Sequence, residues 1–393
     1  MKRFGLFIIK SFALIIYLFS YLFPRKKNRW LFGEAHGFNN NSKYLYLEVL
    51  EEHPDIEPIW IGDKQTVSML KEKNLPACCR YSLKGIFLCL CSKVYVVSWT
   101  TSDISFYLSG GAYVVNLWHG LAWKKCQWLK DTEYDNSSML KKIEHFIISP
   151  SAHFPPRIVL STSSFYTDVY AKTFRVEKEC CVEDIYPRVK FMLKPKDDII
   201  KHLTRYSFDN YIALIDSLYH YNRVFLYAPT FRDTGDDFIR NSGLDFYELN
   251  KQLKDYKYYM LVKFHPATKY DASKISNLSN IRILDISYDL NLIMPFSDIL
   301  ITDYSTTLVD YMLLNKRIIA FTFDYDYYIS QCRELLFPFD ECIKGIPRVN
   351  NEAELMKLMF SDYSSIPCIS KELLIRYWEP SCNLFNEIYR LSH

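Results

Sequence analysis

The sequence predicts an α/β protein made of two doubly wound domains with mostly parallel sheets, facing a common cleft and preceded by an apolar helix. Three observations carry this. Short apolar runs alternate with helical segments along most of the chain. The alternation comes in two series, separated by a polar, charged stretch over 194–209. With 393 residues, the chain also exceeds the ~250–300 residues at which a single hydrophobic core stops growing.

Composition narrows the class further. A content of 49% hydrophobic and 24% charged residues, with only 11 Gly and 16 Pro, excludes disordered, low-complexity and collagen-like chains. The formal charge of +3 is unevenly placed, because Lys2, Arg3, Lys10, Arg25, Lys26, Lys27 and Arg29 all precede the first acid, Glu34. The body is therefore net acidic, which argues against a nucleic-acid-binding face and for a negatively charged partner, a membrane surface, at the N-terminus.

Residues 4–23 are nearly all apolar, about the number needed to span a bilayer. Pro24-Arg25-Lys26-Lys27 follows, with no small-x-small cleavage site. The expectation is a membrane-associating segment over 1–29, crossing the bilayer or lying in its interface, with the body on the cytoplasmic side. An ordinary N-terminal core helix is the alternative. Eleven cysteines, an odd number without a C-x-x-C, argue against a disulfide framework or a zinc site and for a reducing compartment.

In the first series the strand candidates are 30–32, 58–61, 94–97, 113–117 and 146–148, with helices over 42–51 and 66–73 between them. The run 150–164, with Pro155 and Pro156, interrupts the rhythm without ending the domain. In the second series the strands are 224–227, 259–262, 281–284, 299–301 and 318–321, and a helix over 305–315 follows the fourth of them. The expected domains are 30–195 and 196–393, with a linker near 194–201.

Ligands of such sheets bind beyond the carboxyl ends of the strands, and four of these ends are polar. They are Trp118-His119-Gly120, then Ala228-Pro229-Thr230-Phe231-Arg232-Asp233, Lys263-Phe264-His265-Pro266, and Thr302-Asp303-Tyr304-Ser305-Thr306-Thr307. A histidine at a strand end takes a proton from an attacking hydroxyl near working pH, and Gly120 lets a substrate approach His119 closely. Lys124 and Lys125 extend the positive potential there, or form a solvated helix start. His265, beside Lys263, is placed to donate to a phosphate oxygen or a leaving group. Arg232 has the fork geometry that suits phosphate, or it forms an ion pair with Asp233 or Asp236. Ser305 or Thr306 either caps the following helix or forms a phosphate cradle with its N–H groups.

The G-x-G-x-x-G and G-x-x-x-x-G-K-[ST] patterns are absent, as are H-E-x-x-H and any Cys/His cluster. Asp324-Tyr325-Asp326 is a D-x-D only by its letters, in a Tyr-rich loop. The expected chemistry uses His, Arg, Lys and helix N-termini, without metal or cofactor.

As a set in this order, Leu117-Trp118-His119-Gly120 with Lys124-Lys125, Tyr186-Pro187-Arg188, the 227–233 segment, Phe264-His265-Pro266 and the 297–306 segment resemble the CDP-glycerol glycerophosphotransferase family. Asn41-Ser42-Lys43-Tyr44 looks like that family's N-terminal segment. Members include wall teichoic acid primases and polymerases and capsule polymerases. The resemblance implies a GT-B-like fold, with the nucleotide in the C-terminal domain and the acceptor approaching from the N-terminal one. It implies His119 as general base and His265 as the second essential histidine. Donor-binding residues would be Arg232, Lys263, Thr302, Asp303, Ser305, Thr306 and Thr307, and acceptor-side residues Asn41, Lys43, Trp118, Lys124, Lys125 and Arg188. Leu121-Ala122-Trp123 and Val189-Lys190 depart from the family's usual residues, which leaves the acceptor and the transferred polyol open.

The reaction so implied is phosphotransfer from CDP-glycerol, or a related CDP-polyol, to a hydroxyl on a lipid-linked or capsule-type glycan at the inner leaflet. A glycosyltransferase using a nucleotide sugar is the enzymatic alternative, and a catalytically dead membrane scaffold is the non-enzymatic one.

Overall fold

The computed structural model describes residues 2–393 apart from 131–133, 207–208, 235–240, 266, 269–276 and 333. The chain forms two compact units. The first comprises Met1–His119, Cys126–Arg188 and Arg376–His393, the second Gly120–Lys125 and Val189–Ile375.

The first unit holds a seven-stranded parallel sheet of β1 (Lys26–Gly33), β2 (Glu57–Gly62), β3 (Ala77–Cys79), β4 (Ser92–Val97), β5 (Tyr113–Asn116), β6 (Ile158–Ser161) and β7 (Cys181–Glu183), in the order β3-β2-β1-β4-β5-β6-β7. Trp30, Leu31 and Phe32 of central β1 pair with Val94, Tyr95 and Val96 of β4 and are fully buried. A strand covered on both faces needs such a continuous apolar run rather than an alternating one. At the end of β1, Gly33 is required by contact, since a Cβ there would lie 2.9 Å from the Asp103 carbonyl oxygen.

The second unit holds β8 (Arg223–Tyr227), β9 (Tyr258–Val262), β10 (Ile281–Ile283), β11 (Ile299–Thr302), β12 (Arg317–Phe321) and β13 (Arg348–Val349), all parallel, in the order β10-β9-β8-β11-β12-β13. Phe225, Met260, Ile299, Ile301 and Ile319 share one buried cluster on this sheet. Each order reverses once, between β1 and β4 in the first unit and between β8 and β11 in the second. Such a reversal opens a crevice at the carboxyl edge, where ligands bind doubly wound sheets.

Several expectations change. Residues 146–148 close the helix Met139–Ile148, whose start Ser138 caps by accepting from the Lys141 N–H. A three-residue apolar run does not distinguish a strand from one face of a helix. The expected helix 305–315 is shorter, Thr307–Met312. Strands β3, β6, β7 and β13 have only two to four residues, and three of them are edge strands without a long apolar run. In place of a linker over 194–201 stands the helix Lys196–Arg205, with Asp197 and Asp198 in its first turn and Arg205 in its last, as the helix dipole favours. Residues 376–393, counted with the second domain in the sequence reading, fold with the first unit. Phe385 packs on Trp30 with centroids 5.3 Å apart, and the Leu384 N–H donates to Asp184 at 2.8 Å.

The N-terminal apolar segment forms the helix Lys2–Ser20, which packs on the first unit. Tyr17 stacks on Phe106 at 4.6 Å, and Ser20 Oγ accepts from the Gly110 N–H at 2.8 Å. Among the described residues no helix is long and apolar enough to cross a membrane. The eleven cysteines are free thiols.

Candidate functional site

In the first unit the polar residues at the carboxyl edge collect around His119. The chain leaves β5 through a turn in which Trp118 has φ +53° and Gly120 φ +153°. Left-handed backbone at a bulky residue persists only where its surroundings over-determine it, and two asparagines do so. Asn116 Oδ1 accepts from the Trp118 N–H at 2.9 Å, and the Asn41 amide donates to the carbonyls of Leu117 and Trp118 at 3.3 and 2.9 Å.

His119 Nδ1 lies 3.3 Å from the Ser98 carbonyl oxygen. A carbonyl only accepts, so the proton of the neutral ring sits on Nδ1 and the lone pair on Nε2. The ring lies on Trp99, with centroids 3.6 Å apart and 13° between planes. Burial pushes its pKa down to about 4, against the Ser98 hydrogen bond that raises it. The ring is therefore an uncharged acceptor at neutral pH.

Beneath this loop, Asp103 accepts from the N–H groups of Ser98 and Trp99 at 3.0 and 2.8 Å. Burial, with the Glu34 carboxyl nearby, pushes its pKa up to about 7. The Glu34 pKa is also raised by burial.

The acceptor-side residues of the sequence reading separate. Asn41, Lys43, Trp118 and Arg188 are buried in the first unit. Lys43 Nζ lies over the Tyr44 ring at 4.8 Å and the Arg188 guanidinium over Tyr186 at 4.9 Å. Asn41 holds backbone rather than pointing outward. Lys124 and Lys125 belong to the second unit, where Lys124 Nζ lies 5.3 Å from the Tyr328 ring centroid and Lys125 pairs with Glu334 at 2.5 Å.

In the second unit the loops after β8 and β11, on either side of the strand-order reversal, are tied together. Thr302 Oγ1 donates to the Ala228 carbonyl at 2.7 Å, and Asp303 Oδ1 accepts the Thr230 N–H at 2.8 Å. Arg232 is fully buried. Its Nη2 lies 2.9 Å from Asp303 Oδ2, and Nε and Nη2 grip Asp324 at 2.7 and 2.9 Å, while Nη1 donates to the Thr230 carbonyl at 2.6 Å. Burial alone would lower its pKa, but the Asp303 and Asp324 carboxylates outweigh it and the pKa is raised. The fork expected to reach for a phosphate is thus turned inward onto two carboxylates of its own unit. Asp236, the other partner considered, lies outside the described residues, as does Pro266.

Ser305 Oγ accepts from the Thr307 N–H at 3.2 Å, and Thr306 caps the helix Thr307–Met312 with φ −71° and no side-chain hydrogen bond. Lys263 Nζ donates to the Asp285 carbonyl at 2.5 Å, and burial lowers its pKa. His265 is exposed, with its ring against Phe231 at 5.4 Å. The Ala267 N–H donates to its Nδ1 at 3.1 Å. Its neutral tautomer is therefore the reverse of that of His119, with Nε2–H as donor.

Sequence reasoning missed Glu34, Ser98, Trp99 and Asp103. The signal was present, because Glu34 directly follows β1 and Ser98-Trp99 directly follow β4, the same strand-end rule that found His119. Asp324 was noticed only as a weak metal motif, whereas it is an ion-pair partner of Arg232.

Two doubly wound units, each with its polar loops at the carboxyl edge, define a GT-B-like fold. Residues 15–367 match the family described as CDP-glycerol:poly(glycerophosphate) glycerophosphotransferase, and the chain belongs to that family. It is 27% identical over 345 residues to the teichoic acid glycerol-phosphate transferase of Staphylococcus aureus, covering 84% of this chain and 82% of that protein. It is 24% identical over 351 residues to the teichoic acid poly(glycerol phosphate) polymerase of Bacillus subtilis, covering 85% of this chain but only 44% of the polymerase. Among solved structures, a histidine variant of the wall teichoic acid polymerase TagF soaked with CDPG matches with a TM-score of 0.71 at 19% identity, over 100% of this chain and 95% of that one. The UDP-GlcNAc 2-epimerase of Neisseria meningitidis matches with a TM-score of 0.56 at 10% identity, over 93% and 100%. At these identities the structural matches show the fold alone.

Proposed function

We propose that this chain transfers glycerol phosphate from CDP-glycerol to a hydroxyl of a lipid-linked or cell-surface glycan acceptor. The acceptor oxygen attacks the phosphorus that bears the glycerol, the bond to the bridging oxygen breaks, and CMP leaves. His119 takes the hydroxyl proton on Nε2. The observation that carries this reading is the ring's arrangement, with Nδ1–H on the Ser98 carbonyl and a buried, unprotonated Nε2.

On the donor side, Nε2–H of His265, Lys263 and the hydroxyls and N–H groups of Ser305, Thr306 and Thr307 offset charge developing on the phosphates. Thr302, Asp303 and Arg232 act one step back, fixing the loop that carries those groups. Family membership supports CDP-glycerol as donor. The test is to offer the purified chain CDP-glycerol and a panel of nucleotide sugars, then identify the liberated nucleotide and the bond in the product. The expected result is CMP together with a new phosphodiester. UDP release with no phosphodiester would instead establish a glycosyltransferase.

We place the enzyme at the cytoplasmic face of the cell membrane, held by the N-terminal helix. Ile9, Phe12, Ile16 and Phe19 of that helix are half to two-thirds exposed, and an apolar stripe facing outward on a docked helix suits the bilayer interface. Replacing Ile16→Glu with Phe19→Glu should move the protein from the vesicle pellet to the supernatant in co-sedimentation. Unchanged sedimentation would mean that other surfaces bind lipid. Substitution is a cleaner probe than deletion, because Arg25 donates to the carbonyls of Cys89, Ser92, Leu108 and Gly110.

A further inference from the structure

Two groups hold the His119 ring: the Ser98 carbonyl takes its Nδ1–H, and the Trp99 indole lies flat against it. Both residues directly follow β4, and one side chain fixes the backbone of both. Oδ2 of Asp103 accepts the Ser98 N–H at 3.0 Å and the Trp99 N–H at 2.8 Å. These bonds close residues 98–103 into a loop, which the turn Thr101–Asp103 completes with the Asp103 N–H on the Thr100 carbonyl at 2.9 Å.

Asp103 is itself held in place. It is 3% exposed. Its carbonyl accepts from Arg80 Nη2 and approaches Gly33 so closely that a Cβ there would lie 2.9 Å away. Further ties reach the loop singly: the Asn116 amide donates to the Trp99 carbonyl at 3.1 Å, and the Ser42 N–H donates to Ser98 Oγ at 3.2 Å. Of these ties, the Asp103 carboxyl is the one that engages both residues touching the ring.

What is held matters chemically. With Nδ1–H on the carbonyl, the lone pair is on Nε2; with the proton on Nε2 the ring cannot accept there. We propose that Asp103 is a positioning residue for the transfer, setting the tautomer and aim of His119 by pinning Ser98 and Trp99; its catalytic consequence rests on His119 being the base proposed above. Burial and the Glu34 carboxyl raise the Asp103 pKa to about 7, but a carboxyl protonated on Oδ1 still accepts through Oδ2, so this titration does not release the loop. The other charged or titratable groups facing the site are Arg80 on the Asp103 carbonyl, His36 against Trp99 at 5.4 Å, and Arg188, whose charge lowers the His119 pKa.

The test uses the full chain with ¹⁵N-labelled histidine, whose ring signals show which nitrogen carries the proton; those of His119 are the ones absent from His119→Ala. Wild type at neutral pH should show Nδ1–H. Asp103→Ala should bring in the Nε2–H form, lower kcat about 10²-fold with the KM for CDP-glycerol unchanged, and move the acid limb of kcat from about 4 toward 6.5 as the ring loses its burial. Asp103→Asn, which keeps an oxygen for the two N–H groups, should recover most of that loss. Asp103→Ser, whose hydroxyl is too short to accept from both, is read in the same way if the Ala variant does not fold. A wild-type ring protonated on Nε2, or ring signals and an acid limb unchanged in the Ala or Ser variant, overturns the proposal whatever happens to turnover. If the ring proton shifts but turnover persists, or His119→Ala stays active, the base reading fails while Asp103 still sets the tautomer.

Discussion

His119→Ala should lower kcat by about 10²–10⁴-fold while leaving the KM for CDP-glycerol near its original value, because general-base catalysis contributes on that scale and the ring belongs to the first unit whereas the proposed donor loops belong to the second. Wild-type turnover should stay level on acidification through pH 6 and fall only toward the ring's own value of about 4. An unperturbed histidine would lose activity near 6.5. The same shift has a stability consequence. The folded pKa is below the unfolded 6.5, so on acidification the unfolded chain takes up this proton first. The contribution to stability is fully present above pH 6.5 and is lost as pH falls toward 4. Near-normal incorporation of labelled glycerol phosphate by His119→Ala would remove the base assignment.

Arg232→Met should be the most damaging single change to the second unit. The substitution keeps much of the side-chain volume but leaves Asp303 and Asp324, 2% and 12% exposed, facing each other with no cation between them. Removing one partner of a buried ion pair costs about 3–5 kcal/mol. For a unit of this size that corresponds to a fall of roughly 6–20 °C in Tm. The packing adds to the loss, since the guanidinium lies over the rings of Tyr304 and Tyr328 at 5.1 and 4.9 Å. Arg232→Lys should be intermediate, because a single ammonium cannot reproduce the fork that grips both carboxylates. Differential scanning calorimetry decides it, and a Tm within about 2 °C of wild type for Arg232→Met would show that the cluster does not hold the loop. CDP-glycerol affinity should fall as well, through disorder of residues 302–307.

Much of this was legible beforehand because long central strands announce themselves. Residues 30–32, 94–97, 224–227, 299–301 and 318–321 are apolar without alternation, and each lies within a strand buried between two layers. Edge strands such as β3 and β7 carry no such signature, since pairing on one side only and a length of three residues place little demand on side chains. The strand-end rule located both histidines for the same reason that it works in general: a parallel sheet delivers its loops to one edge. It was applied to the ends of β5, β8, β9 and β11 but not to those of β1 and β4, which is why Glu34, Ser98 and Trp99 were overlooked.

The sequence by itself determined two α/β series with polar strand ends, and a family resemblance carried by motifs in a fixed succession. Only the tertiary structure decided which polar groups point outward and which are consumed. Arg232 and Asn41 look like ligand-binding residues in a motif, yet each is buried with side-chain hydrogen bonds committed to neighbours far away in the chain, Asp303 and Asp324 for the first and the Leu117 and Trp118 carbonyls for the second. The choice between an internal partner and a ligand depends on what lies within about 3 Å of a side chain, and for these residues those neighbours are contributed by segments 70 or more positions distant. For the same reason the tautomers of His119 and His265 were beyond reach of the sequence. Each is set by one backbone group, the Ser98 carbonyl in the first case and the Ala267 N–H in the second, that only the folded chain brings to the ring.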